Sequence, residues 1–236
     1  DAAGGRCEII AHIAAPATRD AQELAAHADR IGLDAIASLP PLNAGFKDDE
    51  IVAYYRDLSA ACRLPCFIYV HGASGAAPLS IETVLRIAEI PGIVGMKYTN
   101  PDFFRMQDMR QRLQGNWMVL SGPDELFLPA LTMGVQGCIG TTQNIFPELF
   151  LEIFNCFAVR DLARAMAIQE TVTRIVRLYF IHGGYPTAHA MLAARGFPLN
   201  CCRAPFTLRL SDEACAAVRQ AIRDALADCP LAVELA

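Results

Sequence analysis

Lysine is almost missing from this sequence. Of its 20 basic residues only Lys47 and Lys97 are lysines; the rest of the positive charge is arginine. No basic cluster appears and the formal net charge is −5, which excludes a nucleic-acid surface. No apolar run reaches the length of about 18 residues that a membrane span needs. The nine cysteines lack metal-ligand spacing: Cys62 and Cys66 stand three residues apart and Cys201 and Cys202 are adjacent. They read as free thiols in a reducing cytoplasm, and no metal or other cofactor is called for. No signal peptide is visible, although the chain starts at Asp1 and not at Met. A G-x-G-x-x-G turn is absent too. The nearest glycine group, HGASGAA at 71–77, has the wrong spacing and follows the third strand, so a dinucleotide-binding sheet is rejected.

What the sequence does have is alternation. Short apolar β-like runs are each followed by an amphipathic helical run, with little but turns between them. The strands are expected at CEIIAHI (7–13), LDAIASLPP (33–41), PCFIYVHG (65–72), GIVGMKYT (92–99), WMVLSG (117–122) and GCIGTTQN (137–144). In the first helix Leu24, Ala28 and Ile31 fall at helical spacing, with Gly32 as a stop. Ser80 caps the third helix. Asn100 and Pro101 read as the N-cap and first residue of the fourth, and Pro147 opens the sixth. Six strand–helix units of near-continuously apolar strands imply an α/β fold with a parallel sheet covered by helices. Residues 1–158 hold these units and the active site. Residues 159–236 hold three helices and no strand, and the first of these carries Ala165, Ile168, Val172, Ile175 and Tyr179 on one stripe.

Lys97 ends the apolar run GIVGMKYT, where a charge is out of place. An amine can lose its proton and attack a carbonyl, whereas a guanidinium cannot. A structural ion pair is the alternative, disfavoured by the apolar strand and by the preference for arginine elsewhere. Other polar residues gather at strand C-terminal ends: Tyr69 and His71, Thr99, Ser121 with Asp124 and Glu125, then Thr141, Thr142 and Asn144. In a (β/α)8 barrel that is the active-site face. Each keeps a plainer reading: a core tyrosine for Tyr69, dipole-stabilised helix-start acids for Asp124 and Glu125, ordinary strand threonines for Thr141 and Thr142. His12 and His71 have no acidic partner at a fixed spacing and read as structural.

The blocks FIYVHG, IPGIVGMKYTNPD, LSGPDELFLPALTMGVQGCIGTTQN and CCRAPF, in this order and spacing, resemble the N-acetylneuraminate lyase and dihydrodipicolinate synthase family of class I, Schiff-base aldolases. The resemblance covers essentially the whole chain. It implies a TIM (β/α)8 barrel, here expected to lack the first two βα units, with a C-terminal three-helix extension. It also implies a reaction. Lys97 would condense with the ketone of a 2-oxo acid, and Tyr69 would carry protons to and from the substrate. Thr99, Gly122, Asp124, Glu125, Gly140 and Thr141 would bind the remainder of the substrate. Burial in an apolar strand would disfavour the lysine's ammonium form.

Within the family, two features weigh against the synthase that condenses pyruvate with aspartate semialdehyde. Ser74 stands where synthases carry an arginine, and the loop PPLNAGF has no tyrosine. The Asp124–Glu125 pair is similar to the lyases, whereas Pro123 and Val70 replace a tyrosine and an asparagine common there. The expectation is therefore a lyase cleaving an N-acetylneuraminate-like sugar acid to pyruvate and an aldehyde sugar. A dehydratase or aldolase of another 2-oxo-3-deoxy sugar acid is the next reading, and a catalytically silent homologue the non-enzymatic one. The partner called for is a small 2-oxo acid, with no nucleic acid and no membrane; family resemblance implies a homotetramer. A complete barrel domain runs to about 250 residues. The chain is accordingly expected to be a piece of a longer lyase, its strand 7–13 matching the third barrel strand. Two exposed sheet edges would then make it poorly soluble and nearly inactive alone.

Overall fold

The computed structural model of the chain describes residues 3–41, 45–72, 79–113, 115, 117–199, 202–204, 206 and 208–236. Ser74, the centre of the PPLNAGF loop, most of the HGASGAA group and Cys201 lie outside the described residues. The chain divides into two compact units, Asp1–Gly122 and Pro123–Ala236.

The first unit is built from strand–helix repeats: β1 (Ile10–His12), α1 (Thr18–Arg30), β2 (Ala35–Ser38), α2 (Asp48–Ala60), β3 (Cys66–His71), α3 (Ile81–Ala88), β4 (Ile93–Thr99), α4 (Phe103–Arg112) and β5 (Met118–Ser121). All four pairings are parallel and follow chain order. Because side chains alternate across a strand, one set of residues shares the helix-covered face. Ile36, Ser38, Cys66, Ile68, Met96, Tyr98, Val119 and Ser121 are all buried there. The opposite face carries His12, Ala37, Tyr69, His71, Lys97, Thr99 and Leu120, none of them fully buried.

Local signals explain the helix starts. The Ser80 hydroxyl accepts the Thr83 N–H at 3.0 Å, a cap whose loss typically costs about 1 kcal/mol. The fourth helix is capped by Asp102, not Asn100. Asp102 accepts from Arg105 N at 2.9 Å, while Asn100 turns the preceding loop by accepting from Asp102 N at 2.9 Å. The first helix buries Ala21, Ala25 and Ala28, and leaves Leu24 and Ile31 45% and 56% exposed. Of the expected stripe only Ala28 is buried; small alanines make the close contact, and the larger Leu24 and Ile31 flank it.

The second unit contains a 3₁₀ turn (Asp124–Leu126), α5 (Phe127–Thr132), β6 (Gly137–Cys138), a second 3₁₀ turn (Thr142–Asn144), α6 (Pro147–Ala158), α7 (Leu162–Ile181), α8 (Tyr185–Ala194) and α9 (Asp212–Leu226). The strand expected over 137–144 is two residues long. The chain leaves it because Thr142 and Gln143 are drawn to the Asp124 carboxylate. The long helix α7 buries Ala165, Ile168, Val172 and Ile175, as its stripe indicates; Tyr179 is half-buried. Arg174 ties α7 to α9 by donating to the Ala225 carbonyl at 3.1 Å.

Candidate active site

Lys97 reaches its position through an irregularity in the sheet. Strict alternation from Ile93 would put residue 97 on the face buried under the helices. The pairing of β3 with β4 slips by one residue, from Cys66↔Ile93 to Phe67↔Gly95. Val94 is the extra residue, and such bulges re-aim the side chains that follow them. Beyond it Met96 and Tyr98 take the buried face and Lys97 turns to the open one, directly paired with Tyr69. Gly95 permits this approach, since a Cβ there would lie 2.3 Å from the Met118 carbonyl and 2.8 Å from the Phe67 ring.

The amine of Lys97 stands 4.1 Å from the centre of the Tyr69 ring, inside the range of a cation–π contact. Lys97 joins no salt bridge among the described residues. It is half-buried, not sealed within the strand. Two imidazoles meet the Tyr69 ring edge-on, His12 at 5.8 Å and His71 at 5.5 Å between centroids. Both histidines are held below their ordinary value of 6.5, by partial burial first and by the Lys97 charge second.

Thr99 follows Lys97 on the same face. Its hydroxyl is buried without a hydrogen-bond partner. Gly122 packs directly on it: a Cβ at 122 would lie 1.7 Å from Thr99 Oγ1. The Gly122 N–H donates to the Tyr98 carbonyl at 2.8 Å, continuing the β4–β5 ladder. Ser121 also has an unpartnered hydroxyl, but it pairs with Tyr98 and so points to the helix-covered face.

In the second unit Asp124 is 6% exposed and fully engaged. One carboxylate oxygen accepts from Thr142 N at 2.7 Å and from the Thr142 hydroxyl at 2.8 Å; the other accepts from Gln143 Nε2 at 2.9 Å. Gly140 lies against the same carboxylate, where a Cβ would come within 1.7 Å of Oδ1. The Asp124 carbonyl accepts from Gln169 Nε2 at 3.2 Å, and Gln169 Oε1 accepts from Leu128 N at 2.8 Å. Asp124 therefore pins the 140–144 turn. Neighbouring Glu125 is half-exposed and makes no side-chain hydrogen bond or ion pair among the described residues. Thr141 is half-buried, and its carbonyl accepts from Asn144 Nδ2 at 3.0 Å.

Lys97, Tyr69, Thr99 and Gly122 thus come together in the first unit, and Asp124, Gly140 and the 141–143 turn in the second. The two imidazoles beside Tyr69 are His12 and His71, both read from sequence as structural. Only His71 had a local signal, since it and Tyr69 stand two apart on one strand. Sequence reasoning missed Thr142 and Gln143 as partners of Asp124. Among the described residues no group of three His, Cys, Asp or Glu is placed to hold a metal ion, and no helix is long and apolar enough to cross a membrane. What the first unit offers is an amine and a phenol side by side on an open face, with a spare hydroxyl beside them.

Comparison with known proteins gives the context. The profile of the dihydrodipicolinate synthetase family matches residues 1–225. An N-acetylneuraminate lyase of Rhizobium meliloti is 33% identical over 226 residues, 96% of this chain and 75% of the relative. A 4-hydroxy-tetrahydrodipicolinate synthase of Phenylobacterium zucineum is 29% identical over 94% of this chain and 76% of its own. Among solved structures, a catalytic lysine mutant of the Ruminococcus gnavus sialic acid aldolase superposes with a TM-score of 0.88 at 29% identity, covering 96% of this chain and 76% of that one.

Proposed function

The chain belongs to the dihydrodipicolinate synthetase family, and we propose that within it the chain is a class I aldolase acting through a Schiff base on Lys97. Its lyase relatives support an aldolase-type carbon–carbon lyase. The carrying observation is the Lys97–Tyr69 pair, an amine 4.1 Å from a phenol ring at neighbouring strand ends. The neutral amine adds to the ketone of a 2-oxo acid, and the Tyr69 hydroxyl gives its proton to the carbinolamine oxygen, which leaves as water; a cationic imine and a Tyr69 phenolate remain. The Tyr69 oxygen takes the proton of the C4 hydroxyl. The C3–C4 bond breaks, its electron pair moving into the imine to form an enamine, and an aldehyde departs. Protonation at C3 and hydrolysis return pyruvate and the free amine.

The substrate we assign is an N-acetylneuraminate-like sugar acid. Thr99 and Gly122 take the end near the imine; the Thr99 hydroxyl, buried against Gly122, has no hydrogen-bond partner among the described residues. Glu125, Gly140 and Thr141 take the polyhydroxy tail. Asp124 serves that tail through the turn it holds, its carboxylate already accepting three hydrogen bonds. The eight described cysteines are all unpaired, which suits a cytoplasmic setting. The synthase reading has the Phenylobacterium relative in its favour. A panel assay separates the two. Pyruvate release from N-acetylneuraminate supports the lyase. Release only from other 2-oxo-3-deoxy sugar acids, or condensation of pyruvate with aspartate semialdehyde alone, overturns the substrate assignment.

A further inference from the structure

His12 ends β1 on the same face as Tyr69 and Lys97. The pairing His12↔Ala37 and Ala37↔Phe67 sets that parity, and Tyr69 stands two residues beyond Phe67. The His12 ring meets the Tyr69 ring at 86° and His71 meets it at 62°, while the Lys97 amine lies over the ring's face. One phenol is therefore held by side chains from three strands. Among the described residues the titratable groups facing His12 are Tyr69 on β3 and Lys97 on β4, and His71 meets the same Tyr69 ring. From β2 it meets Ala37; Ser38, Tyr54 and Tyr55 bond to one another behind the sheet. Lys97 is the charge that acts on both imidazoles. His71 sits on the same strand as Tyr69 and moves with it. His12 reaches the ring from another strand and remains open to solvent, so it alone combines an independent grip on the phenol with free exchange of a proton.

We propose that His12 is a positioning residue for the Schiff-base reaction: its neutral ring holds the Tyr69 phenol beside Lys97, and its protonated ring opposes the cationic imine. The role rests on the Lys97 reading. A neutral imidazole supplies an edge-to-face aromatic contact and no charge. An imidazolium supplies a like charge across the ring from the imine, a repulsion of about two- to three-fold in the equilibrium for charges about 7 Å apart in water.

The test is the rate of pyruvate labelling in the presence of cyanoborohydride between pH 8 and 5.5, for wild type, His12→Ala and His12→Phe. At pH 8, His12→Ala labels roughly 2- to 10-fold more slowly than wild type, the range of one edge-to-face contact. His12→Phe recovers most of that loss. As pH falls, the ratio of the His12→Phe rate to the wild-type rate rises about two- to three-fold, because the phenylalanine ring takes no proton. Titrations that do not depend on His12 cancel in this ratio. A flat ratio, or a His12→Phe no faster than His12→Ala, overturns the role while leaving the Schiff base standing. A wild type never labelled at any pH overturns the Schiff-base reading and this role with it. A second measurement does not depend on turnover. The His12 imidazole, titrated by NMR, must show a higher midpoint in Lys97→Met than in wild type; an unchanged midpoint overturns the coupling.

Discussion

The amine of Lys97 and the ring of Tyr69 are cross-strand partners, stacked at 4.1 Å on the open face of the sheet. This arrangement depends on one extra residue, Val94, in the β3–β4 pairing. With regular alternation through Val94 the lysine would point under the helices, where Ile68 and Val119 are buried, and Met96 and Tyr98 would turn to the open face. A bare ammonium there would carry a large desolvation cost. The bulge thus links backbone register to chemistry, since it brings the nucleophile to the phenol.

Gly122 has no room for a side chain. The Cβ of Gly122→Ala would fall 1.7 Å from Thr99 Oγ1 and 2.8 Å from Thr99 Cα. The expected loss is about 1–3 kcal/mol, typical of overpacking, read as a lower urea midpoint. Adding Thr99→Ala removes the hydroxyl clash but not the backbone one, so it restores part of the loss. Full tolerance of Gly122→Ala would show that the two strands are spaced more widely.

Asp124 and Glu125 should separate cleanly despite being adjacent. Asp124→Ala strands the buried Thr142 N–H and hydroxyl and loses the Gln143 contact. Its cost is expected to be about 3 kcal/mol, from unsatisfied groups worth about 1–3 kcal/mol each. Glu125→Gln should leave stability within about 0.5 kcal/mol and raise KM for a sugar acid, with pyruvate labelling retained. Thermal unfolding and a KM series on the two variants decide it. Equal small losses of stability would remove Asp124 from its place as the turn's anchor.

Much of this was legible in the sequence. Strand and helix order follows from apolar runs and their breaks, and Ser80 and Pro147 mark helix starts correctly. Lys97 stands out because lysine is so scarce. The parts that were not legible depend on tertiary contacts. Helix α1 packs through alanines, which carry little hydrophobic signal next to Leu24 and Ile31. The strand at 137 ends early because a carboxylate at 124 captures residues 142 and 143, and no local pattern records that. The slip at Val94 exists only in the pairing of two strands. His71 shares β3 with Tyr69, but His12 comes from β1, far away in sequence, and so carried no sign of its neighbour.

Stability should fall on mild acidification. The folded chain holds His12 and His71 below 6.5, so between those lowered values and 6.5 the unfolded chain binds more protons. The contribution is complete above about pH 6.5 and is lost as pH falls through the folded values. The carboxylates Asp29, lowered by its hydrogen bonds from Arg63, and Glu82, lowered by its own backbone N–H and by Arg112, act only at more acidic pH. Melting temperatures at pH 7.5 and 5.5 should differ in wild type and converge in the His12→Gln, His71→Gln double variant.

Thiol reactivity should follow burial. Cys66 and Cys138 are both pushed up to about 12, chiefly by burial, whereas Cys7 is exposed. Only thiolates react readily with alkylating agents. Mass-resolved alkylation of the folded chain at pH 8 should label Cys7 early and Cys66 and Cys138 last. Early labelling of Cys66 would mean that β3 opens readily.

The most direct test of the account is covalent. The chain is incubated with pyruvate, reduced with borohydride, digested, and the modified residue located by mass spectrometry. The account predicts one stable carboxyethyl group, on Lys97. It also predicts no such adduct in a folded Lys97→Arg variant, whose guanidinium keeps the charge but is not a usable nucleophile. An adduct on Lys47 or the N-terminus in place of Lys97, or sugar-acid cleavage that survives Lys97→Arg, would contradict it.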